Sequence, residues 1–551
     1  MATQMTDAVA YQHLKRQAAR MKHPDMHLQR MWERNPQARA NMYVETDKAS
    51  FDYGFENLTP AIMQNLIALA TEMGLAQHIL ARFGGEIINR TEGRAVGHHA
   101  LRAPRDASFV VNGEEQMPLV HEVLDKLEIF SNNVISGNWK GCTGKRIKKV
   151  VSIGIGGSKY GPEVLSIALK DYATHGIESA FISNVDPANL ERVLSELDPE
   201  TTLFVIESKS FTTAETVESN AKSARAWVLQ KLNGQASEAA IVSKHFVAVS
   251  TATELVTEFG IDAKNMFEFW NWVGGRVSLW SAIGGAVLGP TIGFNNFRQV
   301  LAGGHWTDQH YQNSPFEQNI PVLNALVRIW NRTLMGRQSL ALVPYSYPLR
   351  DSVFLLTQLI MESLGKGVNI DNKAIDFVAS SVIMGDAGSD AQHSFLQFLH
   401  QIHEKGIVPL ELIGFMNPTG TEDRTIQGRD ITQHDRLVAN LLAQRRALAF
   451  GKDNLKEPHK HFPGNRPSSL TMFNERTPFT IAAMVGLQEH TVDAEGAVQG
   501  VPAYDQEGVQ EGKRGAKQIE AIFEAANRDE AVDLSGLDLS TRRYVEARLA
   551  S

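Results

Sequence analysis

Short β-branched runs that alternate with helical stretches most tightly limit how this chain can fold. The first run is Val150 to Ile155, and a glycine-rich turn and a helical stretch to Tyr172 follow it. ESAFISN, TTLFVIES and KHFVAVS repeat the pattern, with ANLERVLSEL and TAETVESNAKSARAWVLQKL as the helical stretches between them. Strands and helices in alternation imply a parallel sheet covered by helices on both faces. A second series begins after about residue 315, with SLALVPYS, SSVIMGDAG and VPLELIGFM as strands. Its helices are expected over 321–335, LRDSVFLLTQLIMESLGKG, QHSFLQFLHQIHEKG, 434–449 and TPFTIAAMVGLQEHTV. Ahead of both series, residues 8–35, 59–83 and 117–136 read as helical, the second with apolar residues at three and four spacing. The expected class is therefore α/β, with two such halves.

With 551 residues the chain is long enough for more than one core. An apolar content of 43% and a charged content of 21% fit a globular protein. The balance of 54 basic and 62 acidic residues leaves a net charge of −8, which argues against a general nucleic-acid or membrane-surface binder. Cys142 is the one cysteine, so an internal disulfide and a multi-cysteine zinc site are both excluded. The first twenty residues are polar and mixed in charge, and no apolar run is long enough to span a bilayer. A cytoplasmic location without membrane association is the expectation.

Chemistry concentrates in five places. Between the halves lies FWNWVGGRVSLWSAIGG, Phe269 to Gly285, which holds Trp270, Trp272 and Trp280 around the turn Gly274-Gly275-Arg276. Such a turn mounts a planar cation in an aromatic frame. Gly154-Ile155-Gly156-Gly157-Ser158 sits between a strand and a helix, where it serves either packing or an anion. It lacks the Gly-Lys-Ser/Thr ending of a P-loop and the third glycine of a dinucleotide loop. Ser208-Lys209-Ser210-Phe211-Thr212-Thr213 crowds hydroxyls at a strand end before a helix, which favours a phosphate cradle over a plain cap. Gln358 and Glu362 fall four apart on an otherwise apolar helix, and an inward-facing Glu362 suits a general base. His393 opens a helix that also carries His400 and His403. This trio matches no zinc pattern, and His393 is the one placed for acid–base work. A fifth stretch, Tyr504 to Lys513, places Gln506 and Lys513 seven apart; alone it reads as a charged helix.

In this order the pieces resemble the glucose-6-phosphate isomerase family. INRTEGRAVGHHALR, IGIGGSKYGP, ESKSFTTAET, NMFEFWNWVGGRVSLWSAIG, MESLGKG, GDAGSDAQHSFLQFLHQ, FPGNRP and YDQEGVQEGK carry the likeness, from about Asn89 to Lys513. The resemblance implies two sugar isomerase domains over 116–290 and 291–505, a helical extension over 1–115 and a helical tail over 506–551. It implies reversible conversion of D-glucose 6-phosphate to D-fructose 6-phosphate through a cis-enediolate, with no cofactor and no metal. Ser208, Lys209, Ser210 and Thr213 would hold the phosphate, Lys209 largely through its backbone. Gly157 and Ser158 would line the sugar, with Gln358 and Gln506 completing the pocket. Glu362 would be the base, Arg276 the cation for the enediolate and Lys513 a group near the ring oxygen. His393 would assist ring opening from the neighbouring subunit of a homodimer, oriented by Glu215. Departures from the usual pattern are Ser210 for threonine, Val277 for an aromatic residue, Leu364 for asparagine, Asp390-Ala391 for Asn-Gly and Glu507 for tryptophan. A sugar-phosphate-sensing regulator, or an isomerase or aminotransferase for another sugar phosphate, are the readings that compete.

Overall fold

The computed structural model describes residues 4–420, 423–454 and 456–551. It divides into two compact units, Met1–Ala503 and Tyr504–Ser551. Thirteen strands lie in the first unit. They are β1 (Tyr43–Glu45), β2 (Ala49–Phe55), β3 (Val110–Val111), β4 (Glu114–Glu115), β5 (Lys149–Ile153), β6 (Glu178–Ile182), β7 (Thr202–Glu207), β8 (Phe246–Ser250) and β9 (Met266–Glu268). Then come β10 (Ser339–Pro344), β11 (Val382–Gly385), β12 (Leu410–Phe415) and β13 (Ser468–Phe473). One sheet has the order β6-β5-β7-β8-β9, parallel throughout. A second runs β1-β2-β13-β12-β10-β11, with β10 to β13 parallel, and β3 and β4 form a separate antiparallel pair. The α/β class with helix-flanked parallel sheets is thus what the chain adopts.

Side-chain alternation explains why the central strands are apolar on both faces. Leu203 and Val205 of β7 enter one core, while Phe204 and Ile206 enter another on the opposite face. Glycines then set how closely the covering helices approach. The helix Ala282–Ile292 is buried along its whole length. A Cβ on Gly289 would stand 2.2 Å from Ser131 Oγ, and one on Gly285 would stand 2.8 Å from Leu127 Cδ1. The stretch Phe269 to Gly285 is therefore followed at once by a helix pressed against Met117–Ser136.

Three expectations need correction. Residues 59–83 form two helices, Pro60–Glu72 and Leu75–Phe83, because Gly74 takes φ = 78° between them. Inside the stretch expected to be a helical extension, β1 and β2 form a hairpin that adds to β13 antiparallel. The helix expected over QHSFLQFLHQIHEKG is two short ones, Gly388–Gln392 and Leu396–Gln401, so His393, His400 and His403 share no helix face. His393 occupies the C-cap of the first rather than the start of a helix.

The second unit is simple. It holds a short turn, Glu507–Val509, and two helices, Gln510–Asn527 and Leu539–Leu549. Asp538 caps the last helix by accepting from the amides of Ser540 and Thr541.

Candidate active site

β5 ends at Ile153, and the chain must turn sharply to begin the helix Gly157–Ala168. Gly156 does this at φ = 59° and ψ = −124°, a conformation that costs a side-chain-bearing residue heavily. Gly157 has a different reason to be glycine. A Cβ there would stand 1.9 Å from the carbonyl oxygen of Gly275 and 2.6 Å from the amide nitrogen of Arg276. The two glycine turns, more than a hundred residues apart in sequence, meet backbone to backbone. Gln358 closes the same corner, since a Cβ on Gly156 would stand 3.1 Å from Gln358 Nε2.

Arg276 leaves this junction within the 3₁₀ segment Gly275–Trp280 and is 7% exposed. Its Nη1 donates to Ser363 Oγ at 3.1 Å and to the Ala503 carbonyl at 3.4 Å. Its Nε lies 3.7 Å from Glu362 Oε2. The tryptophans of the same stretch have contacts of their own. Trp270 and Trp272 stack with centroids 5.1 Å apart, and Trp272 Nε1 donates to Gln116 Oε1 at 3.2 Å. Trp280 is fully buried and donates to the Glu489 carboxylate at 2.8 Å. Two of the departures have a common explanation. Val277 and Leu364 belong to one aliphatic cluster with Leu340, Leu356 and Leu359, so the residues beside Arg276 and beyond Glu362 are matched to each other.

Glu362 ends a π-helical turn, Gln358–Glu362, that continues the helix Ser352–Thr357. Such turns widen a helix and cluster at functional sites. Glu362 Oε2 and Gln358 Oε1 are both buried without a hydrogen-bond partner. A carboxylate oxygen left open beside a guanidinium is an acceptor held ready for a proton or a hydroxyl from a bound molecule.

The hydroxyl loop follows β7. Ser208 Oγ and Thr213 Oγ1 are 3.1 Å apart, and Ser210 Oγ and Thr212 Oγ1 are 2.8 Å apart. Thr213 stands at the N-cap of the π-helical turn Ala214–Ala221 without capping it through its side chain. The hydroxyls thus bond to one another instead of to the helix amides, and that leaves both sets able to meet an anion. Phe211 holds the loop in shape at φ = 52°, a left-handed conformation, with its ring buried. Lys209 points elsewhere. Its Nζ donates to the carbonyl of Asn271 at 3.1 Å and lies 3.4 Å from that of Val273, which ties the loop to the tryptophan frame. Burial first, and Arg94 second, lower its pKa to about 8.

His393 is exposed, and its amide donates to the Asp390 carbonyl at 2.9 Å. Glu215 is half-buried in the first turn after the hydroxyl loop. Gln506 caps the turn Glu507–Val509, and Lys513 is exposed on the helix Gln510–Asn527, both within the second unit. Among the described residues no group of three histidine, cysteine or acidic side chains is arranged to hold a metal ion, and no helix is long and apolar enough to cross a membrane.

Sequence reasoning missed Glu207. It ends β7 directly before Ser208 and is 2% exposed. It accepts from Ser152 Oγ at 3.1 Å through Oε2, and its Oε1 has no partner. A Cβ on Gly154 would stand 3.0 Å from Glu207 Oε2, so the carboxyl lies under the glycine turn. Burial raises its pKa well above its ordinary value of 4.5, and the Ser152 hydroxyl offsets this only in part. The folded protein then keeps this acid protonated where the unfolded chain ionises it. The resulting stability cost is absent at low pH and grows as pH rises from the ordinary carboxylate range toward the folded value. Glu207→Gln should therefore raise the melting temperature over wild type by an increment that grows as pH rises above the ordinary carboxylate range. An increment independent of pH would show that Glu207 is charged in the fold.

The family model for phosphoglucose isomerase matches residues 52–542. The chain belongs to the phosphoglucose isomerase family. The glucose-6-phosphate isomerase of Rhodococcus opacus is 42% identical over 558 residues, covering 100% of both chains. That of Deinococcus radiodurans is 41% identical and covers 98% of this chain and 99% of its own. The crystal structure of a glucose-6-phosphate isomerase from Chlamydia trachomatis superposes with a TM-score of 0.86 at 30% identity, covering 100% of each chain. Membership in the phosphoglucose isomerase family thus rests on nearly the whole length, including both glycine turns, the hydroxyl loop and the Glu362 helix.

Proposed function

We propose that this chain interconverts D-glucose 6-phosphate and D-fructose 6-phosphate, an aldose–ketose isomerisation that serves glycolysis and gluconeogenesis in the cytoplasm. One observation carries the reading. Glu362 presents an unpartnered carboxylate oxygen 3.7 Å from the guanidinium of buried Arg276, at the junction of the two glycine turns. Ser208, Ser210, Thr213 and the backbone of Lys209 hold the phosphate, far enough from C1 and C2 for its binding energy to orient the reacting end. Gly157, Ser158 and Gln358 line the sugar, and Gln506 and Lys513 complete the pocket, Lys513 near the ring oxygen. Glu362 takes the proton from C2 of the open-chain aldose and returns it to C1. Arg276 cannot lose its charge and balances the enediolate that forms between these steps. Nothing in this shuttle requires a redox cofactor or a metal.

Ring opening needs an acid, and the reading assigns it to His393 of a second copy in a homodimer, oriented by Glu215. The exposed position of His393 supports that assignment. The test is a coupled assay with glucose 6-phosphate, mannose 6-phosphate and glucosamine 6-phosphate. Turnover is expected with the first alone, and its absence would sink the proposal. In the same assay, inactive Arg276→Ala and His393→Ala chains should regain activity after mixing under conditions where subunits exchange. No recovery would place His393 outside the shared site.

A further inference from the structure

At the N-terminal edge of the second sheet's parallel strands lies a cavity of about 540 Å³, a volume suited to a small organic ligand. Arg337, Ile407 and Asn465 on its wall precede β10, β12 and β13, so it opens at the N-terminal edge of the parallel strands. The segment after the helix Val9–Met21 covers the cavity.

Charge in this cavity is uneven. Lys22 and Lys405 line it from two separate segments, are exposed, and form no ion pair among the described residues. Arg30 also lines it, with Nη1 at 2.9 Å from Asp25 Oδ1. Glu404 is the single carboxylate on the wall. His27 is already committed, since its Nδ1 accepts from the Gln29 amide at 3.1 Å and its Nε2 meets the Pro463 carbonyl at 2.8 Å.

Arg337 is the decisive residue. It is 9% exposed, yet its guanidinium donates to the amide oxygens of Asn331 at 2.6 Å and Asn57 at 2.7 Å and to no carboxylate among the described residues. Buried Arg82, Arg102, Arg328, Arg332 and Arg445 each pair directly with a carboxylate. The nearest balancing acid for Arg337 is Glu56, which it reaches only through Asn331, whose Nδ2 donates to Glu56 Oε2 at 2.9 Å. Burial, ahead of its hydrogen bond and of Arg337, pushes the Glu56 pKa up to about 7, so that acid is half neutral near neutrality. A buried cation balanced at second hand, on the wall of a cavity, is incomplete without an anion. Beside it, Met21, Met335 and Ile407 supply an apolar floor.

We propose that this cavity is a second ligand site that takes an organic phosphate, with its anionic end between Lys22, Lys405 and Arg337 and its carbon skeleton over Met21, Met335 and Ile407.

Isothermal titration of the full chain with ATP tests this, using adenosine as the neutral control and inhibition of the isomerisation by ATP as the separate reading of any binding at the catalytic site. One ATP per chain is expected. The double variant Lys22→Glu with Lys405→Glu should bind at least about tenfold more weakly, with kcat and KM for the isomerisation unchanged. Failure of wild type to bind ATP, equal binding of adenosine, or undiminished affinity in the double variant would each overturn the proposal.

Discussion

Glu362→Gln is expected to lower kcat by about 10³-fold, or ~4 kcal/mol in the barrier. Glutamine keeps the size of the side chain and its place at the end of the π-helical turn. It removes the basic oxygen that now stands open 3.7 Å from Arg276. Binding of a non-reacting sugar phosphate analogue should stay within about threefold of wild type, because the phosphate cradle and the glycine junction are untouched. The discriminating measurement is turnover in the coupled assay beside analogue affinity. Turnover near that of wild type would mean that another group carries the proton, and a lost affinity would make Glu362 a binding residue instead.

The second large effect lies in the buried charges behind the tryptophan frame. Arg102 binds Asp308 through two nitrogens at 2.8 and 2.7 Å and Glu489 at 3.1 Å, and it stacks 4.1 Å over the Trp280 ring. Glu489 in turn accepts from Trp280, and His490 meets Asp308 at 2.9 Å. Burial by itself would raise the Asp308 pKa, but the charge and hydrogen bonds of Arg102 hold it well below the carboxylate range. Arg102→Met would leave two carboxylates buried without their cation, at a cost of about 3–5 kcal/mol. The midpoint of thermal or denaturant unfolding should fall accordingly, and Arg102→Lys should fall between, since it keeps the charge and loses the two-pronged geometry. A midpoint for Arg102→Met within experimental error of wild type would show that this network adds no stability. Asp308 adds a pH signature. Its folded pKa is depressed, so its stabilising share is present above the ordinary carboxylate range and is lost as pH falls.

Much of this was legible before any coordinates. The parallel strands announced themselves because burial on both faces forces unbroken apolar runs, and the glycine and hydroxyl turns followed them at the expected ends. Other features were hidden for definite physical reasons. β2 contains Phe51, Tyr53 and Phe55 in alternation, but its partner β13 lies some four hundred residues away, and no local pattern encodes that pairing. The widened turn at Gln358–Glu362 leaves apolar spacing nearly unchanged, so an ordinary helix fits the sequence equally well. Glu207 reads as a polar strand end, and only its position beneath Gly154 reveals a neutral acid. Arg102 and Glu489 are 387 positions apart, and no local pattern pairs them.

The contact between Gly157 and Gly275 has a consequence for how this pocket changes over generations. Two main chains touch there with no side chain between them, and the amino-acid alphabet contains nothing between hydrogen and methyl. On the Gly157 side the spacing therefore cannot drift by small steps, because the first available step is a clash, whereas a Cβ on Gly275 would meet nothing within 4 Å. Adaptation to a differently shaped sugar has to enter elsewhere. The aliphatic seam of Val277 and Leu364 offers that route, since paired exchanges of volume there can tilt the mounts of Arg276 and Glu362 gradually.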